Sequence, residues 1–192
     1  MGLLTSVTTD YDRISVHGVR RSLLESQVER LGLPLFEIKL AASCTNDAYE
    51  AAFQASLSQF GSETPEVTHI AFGDLFLEDV RAYRERLLER SGYDPLFPIW
   101  GQNTSELAER FIDDGFTARI VCVDTTQLDG SFAGRAFDRE LLADLPAAVD
   151  PCGERGEFHT FVSGGPGFSS PIPYSVGPTV FRDERFMYCD LE

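Results

Sequence analysis

Residues 150–160 read Asp-Pro-Cys-Gly-Glu-Arg-Gly-Glu-Phe-His-Thr. Gly153 and Gly156 alternate with the carboxylates Glu154 and Glu157, Arg155 stands between them, and apolar Phe158 and Phe161 follow. Glycine tolerates positive φ and lets a ligand approach the backbone closely. Both glutamates can therefore sit on a tight loop at the mouth of a strand starting at Phe158, offering acceptors to an amine, an ammonium ion or a hydroxyl. The same residues also make an ordinary turn before a hairpin strand, with their charges in water. Cys152 is a candidate thiolate beside this loop, but no general base lies near it in sequence, so packing is its simpler role.

A second group is Asp74, Glu78, Arg81 and Glu85, spaced to fall along one polar face of a helix. An acidic group at a helix N-terminus beside a strand end can hold Mg²⁺ or a nucleotide hydroxyl. The alternative is that Asp74 only caps the helix and the rest is a solvated, salt-bridged face. Arg20, Arg21, Arg81, Arg84 and Arg86 are the candidates for phosphate or carboxylate recognition, each of them also an ordinary surface arginine. His17-Gly18 opens a helix at the same edge, where a histidine contacts a ligand or simply packs. Neither a GxGxxG dinucleotide loop nor a GxxxxGK[ST] phosphate loop occurs. Gly164-Gly165-Pro166-Gly167 has the glycines but no helix after it, and reads as a turn.

These groups need a scaffold, and 192 residues can bury a sizeable core. Sixteen basic against 31 acidic residues leave a formal charge of -15. Such a field repels nucleic-acid backbones and anionic membranes, while leaving room for a local basic pocket. No apolar run approaches the ~20 residues that span a bilayer. The first residues lack the basic region of a signal peptide. The four cysteines, Cys44, Cys122, Cys152 and Cys189, have no metal-ligand spacing. Reduced thiols in a cytoplasmic protein with no structural metal are expected.

Taken in order, residues 2–8 form a strand, and Ser15 caps a helix carrying Val19, Leu23, Leu24, Val28 and Leu31, stopped by Gly32 and Pro34. Residues 35–40 are the next strand. Thr45 or Asn46 caps a helix with Tyr49, Ala52, Phe53, Leu57 and Phe60 inward, closed by Gly61. A strand over 67–72 leads to Asp74, the expected cap of a helix over 75–90. A strand over 96–100 and a helix opened by Asn103 and Glu106 precede the buried strand 117–123. Strands alternating with helices imply βαβ units, a parallel sheet, and ligands beyond the strands' carboxyl ends. That rule gathers the loops 8–17, 73–78 and 123–128 at one crevice. A short helix over 138–145 then leads into the Gly-Glu loop, and 158–162, 171–181 and 185–191 read as antiparallel strands.

Four blocks, in order, resemble the diphthine–ammonia ligase family (diphthamide synthase, ATP-binding domain) of the adenine-nucleotide α-hydrolase, or pyrophosphate-loop, superfamily. They are His17-Gly18-Val19-Arg20; Phe72-Gly73-Asp74-Leu75-Phe76-Leu77-Glu78-Asp79 running on to Arg81 and Arg84; Pro95-Leu96-Phe97-Pro98-Ile99-Trp100-Gly101; and 152–160, which is similar to the family's Gly-Glu-x-Gly-Glu-Phe-x-Thr signature. The resemblance implies a Rossmann-like parallel sheet flanked by helices, with a smaller C-terminal subdomain containing antiparallel strands. It divides the chain into a nucleotide-binding α/β half at 1–93 and a substrate-binding part at 94–192. The implied reaction adenylates a substrate carboxylate with ATP, Mg²⁺ accompanying it, and ammonia then displaces AMP to leave an amide. By matching position, Thr5, His17, Gly73 and Asp74 would contact the nucleotide. Glu154, Glu157, Glu78 and Arg81 would be catalytic, and Cys152, Gly153, Gly156 and Arg84 would meet the substrate. The family's named substrate is a modified histidine on an elongation factor.

Members of that family open with a strand, a Ser-Gly-Gly-Lys-Asp-Ser loop and a helix, whereas here Met1 falls just before the second strand. The expected difference is one βα unit, on the order of 30 residues, carrying the central strand of a 3-2-1-4-5 sheet. Its loss leaves residues 3–7 and 67–72 with unpaired edges or makes them pair directly, and exposed edges lead to poor solubility or homo-oligomers. Two other readings stay open: a loop-less homologue that binds a nucleotide or carboxylate without catalysis, and a protein-interaction module.

Overall fold

The computed structural model describes all 192 residues. In chain order its elements are β1 (Leu3–Thr8), β2 (Arg13–Ile14), α1 (Arg21–Leu31), β3 (Leu35–Leu40), α2 (Asn46–Glu63), β4 (His69–Ala71), α3 (Glu78–Leu88), β5 (Asp94–Leu96), α4 (Thr104–Asp113), β6 (Thr117–Asp124), a 3₁₀ turn (Gly130–Phe132), α5 (Arg139–Asp144), β7 (Phe158–Gly164), β8 (Val176–Arg182) and β9 (Phe186–Leu191). They form two compact units, Met1–Tyr11 with Leu33–Gln102, and Asp12–Gly32 with Asn103–Glu192. The fold is mixed α/β, with parallel strand pairs and a four-stranded antiparallel sheet.

The first unit holds two parallel pairs, β1 with β3 and β4 with β5. Strands β1 and β4 are not hydrogen-bonded neighbours. Ile38, Phe53, Leu57, Leu87 and Leu88 form one buried cluster, with Leu4 of β1 and Ile70 of β4 packed against it. Helix α2 starts at the Thr45 cap, whose hydroxyl accepts from the Ala48 N–H. It runs through Gly61 rather than stopping there, and Thr64 Oγ1 closes it by donating to Phe60 O at 2.7 Å. β5 ends at Leu96, and residues 98–100 are turn rather than strand, beginning at Pro98.

In the second unit the strand order is β7-β6-β9-β8. The β-branched run of β6 is buried almost end to end, Ile120 and Val123 completely. Here the expectation of a continued parallel sheet is corrected, because β6 is antiparallel to both β7 and β9. Both partners come later in the chain; the link to β7 carries the 3₁₀ turn and α5 and still brings the chain back against β6, and β9 returns from β8 by a tight hairpin. Val19 and Leu23 belong to the same core as Ile120, Leu141 and Phe161, which groups residues 12–32 with the C-terminal unit rather than with the first 93 residues. Helix α1 begins at Arg21, not after Ser15, because residues 14–19 make a tight turn in which Gly18 N–H donates to Ile14 O and Ile14 N–H to Val19 O. No helix is long and apolar enough to cross a membrane.

Candidate functional site

The Gly-Glu loop is built between α5 and β7 in the second unit. Gly153 and Gly156 have φ of +69° and +80°, and a Cβ on Gly153 would lie 2.7 Å from Phe158 O, so the loop's path requires glycine there. Glu157 turns inward and is 2 % exposed. Its Oε1 accepts from the Asp150 N–H and its Oε2 from the Arg155 N–H, both at 2.9 Å. Asp150, also buried, accepts at Oδ1 from the Cys152 and Glu154 N–H groups. Glu154 is half-buried and Arg155 exposed, with the Arg155 guanidinium 3.6 Å from Glu157.

Cys152 directs its thiol at Thr104 O, 3.3 Å away, and burial pushes that thiol up to about 12, with the Asp150 and Glu154 charges adding to the effect. It is protonated at neutral pH and packs. Its fellow cysteine Cys122, on β6, is held up to about 11 mainly by burial.

A third buried carboxylate braces the loop. Asp124, at the end of β6 and 1 % exposed, accepts from Arg185 Nε and Nη2 at 3.0 and 2.5 Å, from Thr126 and from Gln127. The Arg185 guanidinium and these donors hold its carboxyl well below the usual range. Gln127 also reaches Arg155 O at 3.5 Å, and Asp124 N–H donates to Glu157 O. Neither Asp124, Asp150 nor Arg185 was singled out in the sequence. A run of buried strand ending in Asp was the available signal for Asp124.

His17 does not stand open to a ligand edge. Its ring packs against His159 with centroids 4.4 Å apart and planes tilted by 39°, and burial lowers both imidazoles, His159 to about 4. Across the sheet His159 pairs with Cys122, and Cys122 with Tyr188, so the three share one row.

The remaining candidates lie in the first unit. Asp74 does not cap α3, which begins at Glu78 behind Leu77 and has no side-chain cap. Residues 75–77 stay outside the helix, Leu75 O accepts from the Gly101 N–H, and Asp74 turns to Arg84 instead. Asp74 Oδ2 and Arg84 Nε face each other at 3.6 Å, sealed from solvent and without a hydrogen bond. Arg84 lies over the Phe72 ring, and Arg81 over both Phe97 and Trp100, at 4.7 and 4.8 Å. Arg81 also pairs with Glu85 at 2.8 Å. Glu78 is exposed in the first turn of α3, Gly73 is exposed just before Asp74, and Thr5 is half-buried in β1 opposite Glu37 of β3. The structure thus brings Asp74, Arg81 and Arg84 onto one aromatic ledge, and Cys152, Gly153, Glu154, Gly156 and Glu157 into one loop.

Residues 103–182 match the family model of the diphthamide synthase C-terminal domain. The matched stretch opens at the Asn103 cap of α4, whose Oδ1 accepts from Ser105 and Glu106 N–H, and it contains the whole Gly-Glu loop with Asp124. The match supports the family likeness for this part of the chain. No curated protein matches the chain.

Proposed function

We propose that the protein is an ATP-dependent amide-forming ligase of the diphthine–ammonia ligase type, acting in the cytoplasm. The observation that carries this reading is the Gly-Glu loop, framed by buried carboxylates inside the region that matches the diphthamide synthase family. In the reaction a substrate carboxylate oxygen attacks the α-phosphorus of ATP and pyrophosphate leaves. The nitrogen of ammonia then attacks the acyl carbon, the acyl C–O bond breaks, AMP departs with that electron pair, and the ammonium nitrogen gives up a proton.

On this reading the parallel pairs belong to a Rossmann-like nucleotide-binding sheet. The aromatic ledge suits a nucleotide: guanidiniums backed by rings offer charge to phosphates, and the sealed Asp74 Oδ2 and Arg84 Nε are polar atoms lacking a hydrogen bond. Gly73, Asp74 and Thr5 are the proposed nucleotide contacts, with Mg²⁺ brought by the ATP. Arg81 and Arg84 would offset the charge of the acyl phosphate, and Glu78 would sit with them. The loop, with Glu154 its half-buried carboxylate, is assigned to the amine.

The test is incubation with ATP, Mg²⁺, ammonium and candidate carboxylates, a modified-histidine elongation-factor peptide first, following pyrophosphate release and amide formation by mass spectrometry. Pyrophosphate formed only when both carboxylate and protein are present supports the ligase. Calorimetric ATP binding with no pyrophosphate release would replace it by a non-catalytic nucleotide-binding role, and no ATP binding at all would remove the nucleotide.

A further inference from the structure

Helices α2 and α3 of the first unit border an open cleft of about 540 Å³, a size that suits a small molecule. Helix α2 contributes Asp47 and Glu50, and the end of α3 contributes Arg86 and Arg90. Ala51 and Leu87 supply the apolar part of the lining. Gln54 Nε2 donates to Leu87 O at 2.6 Å, which ties the two helices together at the cleft. None of these residues belongs to the Asp74 ledge or to the Gly-Glu loop.

Charge is arranged here unlike elsewhere on α3. Arg81 and Arg84 hold Glu85 and Asp74. Arg86 lies over the Tyr83 ring, and neither it nor Arg90 forms an ion pair, although two carboxylates line the same cleft and the chain has 31 acidic residues to 16 basic. The Asp47 side chain likewise has no partner, while Glu50 accepts from Asn46 Nδ2 at 2.8 Å. Opposite charges that share a cleft without touching leave room for a group that bridges them. An anion alone would meet two carboxylates there, and a cation alone two guanidiniums. A molecule carrying both charges finds a partner for each. We propose that the cleft binds a small zwitterion, a free amino acid or dipeptide with an uncharged aliphatic side chain. Its carboxylate goes to the planar forks of Arg86 and Arg90, its ammonium to Asp47 and Glu50, and its side chain to Ala51 and Leu87. The site lies beyond the ligase reading and does not depend on it.

The test titrates the full ¹⁵N-labelled chain at neutral pH, without ATP, with L-leucine and with glycyl-L-leucine. N-acetyl-L-leucine, L-leucinamide and sodium pyrophosphate are titrated in parallel. Saturable shifts of the Ala51 and Leu87 amides with a zwitterion are expected, with both blocked analogues binding about tenfold more weakly or worse. No saturable shift there with either zwitterion up to about 10 mM, equal binding of a blocked analogue, or tighter binding of pyrophosphate would overturn the ligand class. Arg90→Gln and Asp47→Asn should each weaken the zwitterion by about tenfold. Both positions are exposed, so the variants keep the fold, which unchanged amide shifts outside the cleft verify. Unchanged affinity in either variant overturns the placement. Glu25→Gln, outside the cleft, should bind as the unaltered chain does, and a loss as large as that of Asp47→Asn would reduce the effect to net charge and sink the site. None of these readouts needs ATP turnover, so they stand or fall apart from the ligase assay.

Discussion

The Gly-Glu loop and the Asp74 ledge each join a glycine to an acidic residue, and they treat charge in opposite ways. In the loop, Glu157 and Asp150 are buried and each accepts two backbone N–H bonds. On the ledge, Asp74 and Arg84 face each other at 3.6 Å with Oδ2 and Nε outside any hydrogen bond, and the arginines rest on rings. A satisfied carboxylate supports its own backbone; a guanidinium lying on an aromatic face gains from the ring as well as from its ion pair. The loop's buried carboxylates are thus satisfied, whereas the ledge leaves Asp74 Oδ2 and Arg84 Nε without a hydrogen bond while Arg81 spends its Nε on Glu85.

The contrast breaks most directly at Glu157. Glu157→Ala leaves two buried N–H groups without acceptors and should cost about 2–4 kcal/mol in chemical denaturation, whereas Arg81→Met on the ledge, whose pair with Glu85 is solvent-exposed, should cost less than about 1 kcal/mol. Equal costs would erase the distinction.

The next largest effect is in pH. The folded protein keeps His159 neutral, with its pKa lowered to about 4 by burial and by the neighbouring His17, while the unfolded chain takes up a proton below about 6.5. Unfolded molecules therefore bind more protons, and stability falls as pH drops from about 6.5 to about 4, by up to about 3 kcal/mol. Denaturation midpoints across that window check it, and His159→Phe should flatten the curve. The depressed carboxylates, Asp190 at about 2 beside Arg20 and Arg13, hold stability above the unfolded carboxylate range and lose it only below about pH 4. They cannot imitate the histidine window.

A smaller effect sharpens the ledge. Trp100 is the chain's one tryptophan and Arg81 lies 4.8 Å from its ring. Arg81→Met should change Trp100 emission and cost about 0.5–1 kcal/mol. Emission identical to the unaltered chain would place Arg81 away from the ring in solution. Smallest of all, Glu154→Gln should alter stability by no more than about 0.5 kcal/mol, which equilibrium unfolding can verify against the Glu157 variant.

Much of the local structure was legible in the residues. The apolar runs of β3 and β6, the Asn103 and Thr45 caps and the Gly32 stop all lie where side-chain chemistry puts them. The expectations that failed concern choices between local and distant partners. Asp74 has the composition of a helix cap, yet Arg84 and the Leu75–Gly101 bond take that segment elsewhere. The turn at 14–19 delays α1, and β6 pairs antiparallel with β7 and β9, strands distant from it in the chain.

What the amino-acid order determined by itself, then, was where strands, helices and the glycine-hinged bend would form, since periodicity and capping act over a few residues. Which way each carboxylate faces was decided only by the tertiary structure. Asp124 finds Arg185 across 61 residues, and the burial that turns Glu157 inward exists only once the strands around it have paired. Hydrogen-bond satisfaction in a closed interior is a property of the assembled fold, and no local pattern encodes it.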